Sequence, residues 1–466
     1  MKKLVGMNIR AKDFVPYLGH HTKQDVNDML KTIGVEDVLQ LFSDIPAKFI
    51  LPNPPNIGPP KTEQEVYEAF KKILEKNRRG LKLFIGGGIW PHYIPAAVKE
   101  IASRSEFLTS YTPYQPEASQ GVLTALFEFQ SLVADLYAID VVNSSMYDWA
   151  TALGESFRMA YRYNGRTKIV VAGHSGPDRL RIAETYVRPL QMKIEIVPFR
   201  RDGAVDEEFL KQSIDSETAA VYVENPTYLG CLVSNVKEVG ELAHEKNALF
   251  IVGAEPISLG LFTPPGEYGA DIVVGEGQPL GMPMNFGGPL LGILGCRSDR
   301  KLIHSMPGRI VGLSETITDK RRAFSMILRA REQDIKREKA TSNICTNQAH
   351  CAIIAAAYLS ILGKRGVQDL ARHIFDKTAY FIDSLSRLDG VIAPVLDAVH
   401  YMEFTFRVEQ LDSKTLLEKL LEKGFVGGLR VGKDFPSLGD SVLTCVTEVH
   451  SIDDIDAYVR AVKEVV

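Results

Sequence analysis

The middle of the chain alternates short apolar runs with longer amphipathic segments. From residue 168 to residue 252, apolar runs of about five residues are each followed by a segment in which apolar side chains recur every three or four positions. This pattern predicts strands joined by helices in right-handed crossovers, and therefore a mostly parallel sheet that is buried on both faces. The predicted strands are 168–172, 193–197, 219–223 and 248–252, and the predicted helices are 177–187, 207–214 and 236–246.

The segments that flank this region have different patterns. Residues 20–49 have the periodicity of two short helices, and the proline-rich run 51–60 excludes a helix because proline lacks an amide donor. An alanine- and isoleucine-rich segment predicts a buried helix over 345–362 that ends at Gly363. The predicted parts are a helical arm and extended strap (1–60), a large α/β domain (61–340), and a wedge helix with a small C-terminal α+β domain (341–466).

A polar and aromatic loop lies directly before a predicted helix. Residues 111–117 contain two prolines, two tyrosines, a glutamine and a glutamate, and the predicted helix 119–137 follows. Because proline restricts the backbone, we predict a rigid loop that suits binding, with Tyr111, Tyr114 and Glu117 as candidate site residues. The competing interpretation is that the two tyrosines only cover the core, as tyrosine commonly does.

His92 is a further candidate site residue. It follows three consecutive glycines, 86–88, and its neighbours include Trp90 and Tyr93. Glycine lets the backbone approach another group closely, which favours a binding site. A single histidine beside aromatic residues is more often packed in the core than catalytic, so both interpretations stay open.

The charged segment 301–339 has two interpretations. Basic residues outnumber acidic residues there, and the densest part runs from Arg331 to Lys339. Such a run most often forms a solvated face. The alternative is a dedicated site for an anion or a partner.

Composition and charge narrow the classes of function. The 466 residues are 45% hydrophobic and carry a formal net charge of −4, which predicts a globular protein without bulk attraction to nucleic acid or anionic membranes. The five cysteines have no metal-ligand spacing, so we predict neither a metal site nor a disulfide. We recognise no signal peptide and no apolar stretch of about 20 residues that would cross a bilayer, so a cytoplasmic protein is expected.

The predicted parts together resemble the aspartate-aminotransferase fold (fold type I) of pyridoxal-phosphate-dependent transferases. In that fold an aspartate at the end of a strand meets the pyridine nitrogen of the cofactor, and a lysine in a later strand-loop-strand segment binds its aldehyde. In this chain Val252 stands at the aspartate position, and Gln278 occupies the lysine region within 271–296. No lysine occurs between Lys246 and Lys301. We therefore expect this fold without its cofactor-binding residues.

Four longer motifs are more specific than this outline. They resemble the N-terminal half of the glycine cleavage system P-protein, glycine dehydrogenase (decarboxylating), which in many bacteria and archaea is a separate chain called subunit 1 or the alpha subunit. The motifs are YTPYQPEASQGVLTALFEFQ (111–130), PPGEYGADIVVGEGQPLGMPMNFGGP (264–289), MPGRIVG (306–312) and REKATSNICTNQA (337–349).

The resemblance implies an alpha-2 beta-2 assembly whose beta subunit carries pyridoxal phosphate on its lysine. It also implies that this complex decarboxylates glycine and transfers the aminomethyl group to the lipoyl arm of H-protein. The alpha subunit then has no catalytic residue of its own, and its rigid loops complete the site of the neighbouring chain. The site-completing candidates are Tyr111, Tyr114, His92 and Glu117.

Two alternatives stay open at the level of sequence. The chain is either a self-sufficient pyridoxal phosphate enzyme with a displaced lysine, such as Lys246 or Lys301, or a regulatory or scaffolding pseudoenzyme of the same fold.

Overall fold

The computed structural model describes residues 22–51, 53, 55–56, 58–286, 288–344 and 346–466. The chain divides into two compact units, Met1–Arg79 and Gly80–Val466. The sequence-based division at residues 60 and 340 stays a prediction. Residues 20 and 21 of the predicted arm, and Cys345 at the start of the predicted wedge helix, lie outside the described residues.

The first unit is helical where it is described. Helix α1 (Lys23–Ile33) begins with a capping box between Thr22 and Asp25, and helix α2 (Glu63–Leu74) begins with the same motif at Thr62. Single 3-10 turns at Val38–Phe42 and Ala47–Phe49 lie between them in the chain. None of the described residues between 22 and 79 is buried.

The second unit contains a large central sheet. Among the described residues this sheet has seven strands in the order β2-β8-β7-β6-β5-β3-β4. Neighbouring strands are parallel except that β8 is antiparallel to β2 and to β7. The strands of the unit are β1 (Lys82–Leu83), β2 (Val141–Val142), β3 (Lys168–Ala172), β4 (Lys193–Val197), β5 (Thr218–Glu224), β6 (Leu249–Gly253), β7 (Ile272–Glu276), β8 (Gly292–Cys296), β9 (Ile310–Glu315), β10 (Arg322–Ile327), β11 (Val391–Ile392), β12 (Glu403–Val408), β13 (Phe425–Val426), β14 (Leu429–Arg430) and β15 (Val442–Cys445).

The predicted mostly parallel sheet is confirmed. Strands β3 and β4 have the predicted bounds, and β5 and β6 differ from their predictions by one residue at each end. Strands β5 to β8 are buried along their whole length because helices cover both faces of the sheet.

The helices of the second unit surround this sheet and the small C-terminal sheet. Helix α5 begins at Pro116, inside the predicted loop 111–117 and three residues before the predicted start of the helix at residue 119. The helices are α3 (Ala96–Ala102), α4 (Ser105–Leu108), α5 (Pro116–Tyr137), α6 (Trp149–Asn164), α7 (Pro177–Val187), α8 (Glu207–Ser213), α9 (Val236–Glu245), α10 (Arg300–Ser305), α11 (Gln333–Lys336), α12 (Ala349–Ser386), α13 (Ser413–Glu422) and α14 (Ile452–Val465).

The predicted end of the wedge helix at Gly363 agrees with a break in the structure. Gly363 has non-helical angles, φ 61° and ψ −179°, and separates two helical segments that meet at a kink within α12. Glycine alone adopts this conformation readily, so the regular helix geometry stops at this residue and resumes after it. The apolar first half of α12 is largely buried, as its composition predicts.

The C-terminal part forms a second layer with its own core. Strands β11, β12, β15 and β14 make an antiparallel sheet in that order, and β1 pairs in parallel with β13. The core combines residues from both ends of the unit, among them Phe84, Phe381, Phe404 and Tyr458. Residue 84 therefore packs with residues more than 290 positions later in the chain.

Strands β9 and β10 form an antiparallel hairpin within the charged segment. The sequence pattern did not predict this hairpin. The ring of Phe324 on β10 packs on Phe127 of α5 with a centroid distance of 5.2 Å.

Cys231, Cys296, Cys351 and Cys445 are free and buried. In the part of the chain that the structure describes, no helix is both long enough and apolar enough to cross a membrane.

Candidate functional site

The loop at 111–117 is held at the N-terminal end of α5. Tyr111 is 72% exposed, and its hydroxyl lies 2.5 Å from the hydroxyl of Thr346. Tyr114 is half-buried, and Glu117 is exposed in the first turn of α5. The loop therefore links α5 to the motif that precedes α12. Of its two tyrosines, only Tyr114 packs against the core.

Two arginine side chains contact the ring of Tyr114. The guanidinium carbon of Arg309 is 4.5 Å from the centroid of its ring, and that of Arg329 is 4.8 Å away. Arg309 also donates a hydrogen bond to the Tyr114 hydroxyl. Cations over the ring and a charged donor at the hydroxyl restrict the position of this tyrosine.

The first two residues of the 331–339 run are buried and bond to other parts of the chain. Arg331 is buried and donates to the carbonyl oxygens of Met306 and Gly308, and burial lowers the pKa of Arg331. Glu332 is buried and forms an ion pair with Arg309. The interpretation of the run as a solvated face is therefore wrong for Arg331 and Glu332. Residues 333–339 are exposed, as that interpretation expects.

A cavity of about 640 Å³ adjoins this cluster. Its wall includes Tyr114, Arg309 and Glu332 on one side and Asn343 of the REKATSNICTNQA motif. The cavity therefore brings together residues from three of the four specific motifs and the charged run. Its size suits a small-molecule or cofactor arm, since such sites usually measure about 300–1,000 Å³.

His92 does not line this cavity. Its side chain is 1% exposed, and Nδ1 lies 2.9 Å from a carboxylate oxygen of Glu448. Burial alone would raise the pKa of Glu448, but the hydrogen bond and charge of His92 outweigh it, so that the pKa is lowered. The structure does not bring His92 together with Tyr114.

Gln278 is buried two residues after the end of β7. Its side-chain oxygen accepts a hydrogen bond from the backbone amide of Trp90 at 3.0 Å, and its amide nitrogen donates to the carbonyl oxygen of Met282 at 2.8 Å. Both ends of the side chain are thus used by the backbone. Val252 is fully buried in β6.

Large side chains occupy the carboxyl ends of the neighbouring strands, where open α/β sheets usually bind ligands. Trp149, at the start of α6, donates from its indole nitrogen to the Tyr222 hydroxyl at 3.2 Å. The Arg179 guanidinium carbon is 3.6 Å from the centroid of the Trp149 ring and pairs with Glu224 at 2.6 Å. A Cβ atom at Gly253 would lie 2.6 Å from the indole, so glycine is required beside Val252.

These residues do not fit pyridoxal phosphate. Valine offers no anion for the pyridine nitrogen, and the glutamine amide offers no amine for the aldehyde. The cavity that remains among Trp149, Arg179 and Tyr228 has a volume of about 10 Å³. That volume is roughly the space of one water molecule.

Buried carboxyl groups that sequence reasoning missed surround this filled region. Burial raises the pKa of Glu255 to about 6, of Glu403 to about 7 and of Glu276 to about 8. Glu403 accepts from the backbone amide of Gly87 at 2.6 Å, and a Cβ atom at Gly86 would lie 2.2 Å from its oxygen. The glycines at 86–88 are the sequence signal for this close approach. The group that approaches their backbone is the Glu403 carboxyl group of the same chain.

Known structures share this architecture. A crystal structure of glycine decarboxylase (P-protein) of the glycine cleavage system, in inhibitor-bound form, is 36% identical and superposes with a TM-score of 0.87 over 97% of this chain and 100% of that chain. A NifS-like protein that is 13% identical superposes with a TM-score of 0.62 over 83% of this chain and 99% of that chain, which shows the fold alone.

The fold is that of the pyridoxal-phosphate-dependent transferases (fold type I), and the side chains at the carboxyl ends of its strands leave a cavity of only about 10 Å³. The family model "Glycine cleavage system P-protein" matches residues 16–462. This chain therefore belongs to the glycine cleavage system P-protein family.

Curated relatives cover almost the whole chain. A probable glycine dehydrogenase (decarboxylating) subunit 1 from Staphylothermus marinus is 45% identical over 97% of this chain and 99% of its own length. The protein of the same name from Pyrococcus abyssi is 45% identical over 98% of this chain and 100% of its own length. The resemblance derived from the four motifs is confirmed.

Proposed function

We propose that this chain is subunit 1, the alpha subunit, of a decarboxylating glycine dehydrogenase. With a homologous beta subunit it forms an alpha-2 beta-2 complex that decarboxylates glycine and transfers the aminomethyl group to the lipoyl arm of H-protein. The observation that carries this proposal is the likeness over essentially the full length of relatives named subunit 1. The complex acts in the cytoplasm.

The P-protein family depends on pyridoxal phosphate, and we place the cofactor on the beta subunit. Three features of this chain support that assignment: Gln278 in the lysine region, Val252 at the aspartate position, and the residual cavity of about 10 Å³. When bound by the partner, the cofactor supplies an electron sink for the decarboxylation.

The contribution of this chain is to complete the site of its partner. We assign this role to the 111–117 loop, with Tyr111, Tyr114 and Glu117, because two prolines restrict its backbone and Tyr114 lines a cavity of about 640 Å³. The role of His92 stays a prediction, since its ring is buried against Glu448 outside that cavity.

Cofactor trapping tests the proposal. The chain is purified alone, the partner is purified alone, and the two are combined with pyridoxal phosphate. Visible absorption is recorded before and after borohydride reduction, and the site of the reduced adduct is located by mass spectrometry. We expect an adduct on a lysine of the partner and glycine decarboxylation only by the combined chains.

Other outcomes identify the alternatives. An adduct on this chain alone would overturn the proposal in favour of a self-sufficient enzyme. Lys246 and Lys301, the candidates for that enzyme, are both exposed, so neither is presented to a buried cofactor site. Full activity of the partner without this chain would instead indicate a regulatory or scaffolding protein.

A further inference from the structure

The β9–β10 hairpin is anchored to α5 by two glutamine side chains. The Gln130 amide accepts from the backbone nitrogen of Val311 at 2.9 Å and donates to the carbonyl oxygen of the same residue at 3.0 Å. Gln120 makes the same pair of bonds with Phe324, at 2.9 Å in both directions. Each glutamine amide bonds both the N–H and the C=O of one hairpin residue, as a residue of a neighbouring strand would. These bonds fix the position of the hairpin along the axis of α5.

The base of this hairpin carries the two arginines that contact Tyr114. Arg309 directly precedes β9, and Arg329 follows β10 after one residue. Tyr114 lies in the loop directly before α5. Anchoring the hairpin to α5 therefore also fixes both guanidinium groups relative to the tyrosine.

Arg309 uses its planar fork for two partners. One amino group pairs with buried Glu332, and the other donates to the Tyr114 hydroxyl while the guanidinium carbon lies 4.5 Å from the ring centroid. A lysine could not make these three contacts together, because its ammonium is a point charge without a planar fork.

Stability alone does not explain the buried ion pair of Arg309 and Glu332. Burying an arginine and a glutamate removes both charges from water, and apolar residues of similar volume are often as stable or more stable. Here the pair directs one donor to one hydroxyl in the wall of the largest cavity described above. This directional use points to control of that hydroxyl.

We propose that Arg309 is a positioning residue that sets the location of the Tyr114 hydroxyl in the cavity wall and thereby supports turnover by the assembled complex. Glu332 and the anchored hairpin hold Arg309 in turn. This inference rests on the proposed function of the 111–117 loop.

A double-mutant cycle in the complex with the partner subunit tests the inference. Tyr114→Phe, Arg309→Ala and the double variant are compared for kcat and KM with glycine. We expect each single variant to lower kcat about tenfold, and the double variant to be no slower than Tyr114→Phe, because both changes remove one shared interaction. Methylguanidinium should restore part of the activity to Arg309→Ala but none to Tyr114→Phe.

The control is Arg321→Ala at the hairpin tip, where the arginine side chain is 80% exposed and pairs with Asp319. Its kcat should equal that of the unmodified complex. Cofactor absorbance and gel filtration establish that each complex has assembled. Should Arg309→Ala not assemble, the cycle is run with Glu332→Gln, which releases Arg309 while leaving its guanidinium present.

The outcomes separate this inference from the proposed function. Losses that multiply in the double variant, or an unchanged kcat in both Arg309→Ala and Glu332→Gln, would overturn the positioning role alone. An unchanged kcat in Tyr114→Phe would overturn both the role of the loop and the inference. A loss without chemical rescue, accompanied by a lower melting temperature, would reassign Arg309 to structural support.

Discussion

At the scale of single residues, a buried ion pair lies at the carboxyl ends of the central strands. The side chains of Arg179 and Glu224 are 8% and 0% exposed. The carboxylate also accepts from the Tyr222 hydroxyl and from the backbone of Gly176. Burial nonetheless raises the pKa of Glu224. Removal of the arginine would leave a buried charge with no cation.

We expect Arg179→Met to destabilise the chain by about 3–5 kcal/mol at pH 8. Without the cation, the folded-state pKa of Glu224 rises further above its unfolded value of about 4.3. Stability from the protonated carboxyl is present below the unfolded pKa and is lost as the pH rises. The destabilisation should therefore be smaller at pH 5 than at pH 8, as measured by urea unfolding.

Two further variants control this prediction. Arg179→Met combined with Glu224→Gln should recover most of the lost stability, because no charge remains buried. Arg181→Met on the same helix removes a side chain that is 64% exposed and should change stability by less than about 0.5 kcal/mol. Equal costs for Arg179→Met at both pH values would contradict the role assigned to Glu224.

At the scale of elements, the kink in α12 lies at Gly363, the residue at which the sequence pattern predicts the end of the apolar helix. A Cβ atom at Gly363 would have no neighbour within 4 Å, so the requirement for glycine is in the backbone angles alone. Gly121 in α5 also has open space around its Cβ position but has no positive φ. The two sites therefore separate backbone strain from packing.

We expect Gly363→Ala to destabilise the chain by about 1–3 kcal/mol, because alanine at φ 61° and ψ −179° is strained. Gly121→Ala should instead stabilise it by about 0.5–1 kcal/mol, because alanine loses less conformational freedom in a helix. Urea unfolding of the two variants measures both effects. A gain in stability for Gly363→Ala would mean that the helix does not break there.

At the scale of the whole molecule, charge is distributed unevenly. The chain has a formal net charge of −4, yet basic residues outnumber acidic ones within 301–339. Because Arg331 and Glu332 are internal supports, only the exposed charges of this segment are available to a partner. Lys336 and Lys339 are exposed members of it.

We expect Lys336→Glu with Lys339→Glu to weaken association with the partner subunit about tenfold at about 0.05 M salt, and much less at about 0.5 M salt. Binding kinetics measured at both salt concentrations test this effect. The control is Lys414→Glu with Lys433→Glu, a reversal of two exposed lysines in the C-terminal part. Equal binding by all variants would leave residues 333–339 as a solvated face.

The sequence pattern predicted regular elements better than it predicted the site. Strands 168–172 and 193–197 and helix 177–187 match the structure because each is set by local periodicity and ended by local breakers. The β9–β10 hairpin was missed because charged residues obscure its alternation. Tyr114 was named as a candidate from its loop, whereas Arg309 and Arg329 were not, since contacts between distant residues leave no local pattern.

By itself, the sequence determined the α/β class and the family, since these follow from residue types at local spacings. Tertiary structure decided which side chains pack at the carboxyl ends of the central strands and which hold Tyr114. Trp149, Arg179 and Glu224 converge there from α6, α7 and β5. Such convergence depends on chain crossovers and packing, and these bring together residues that no local period relates.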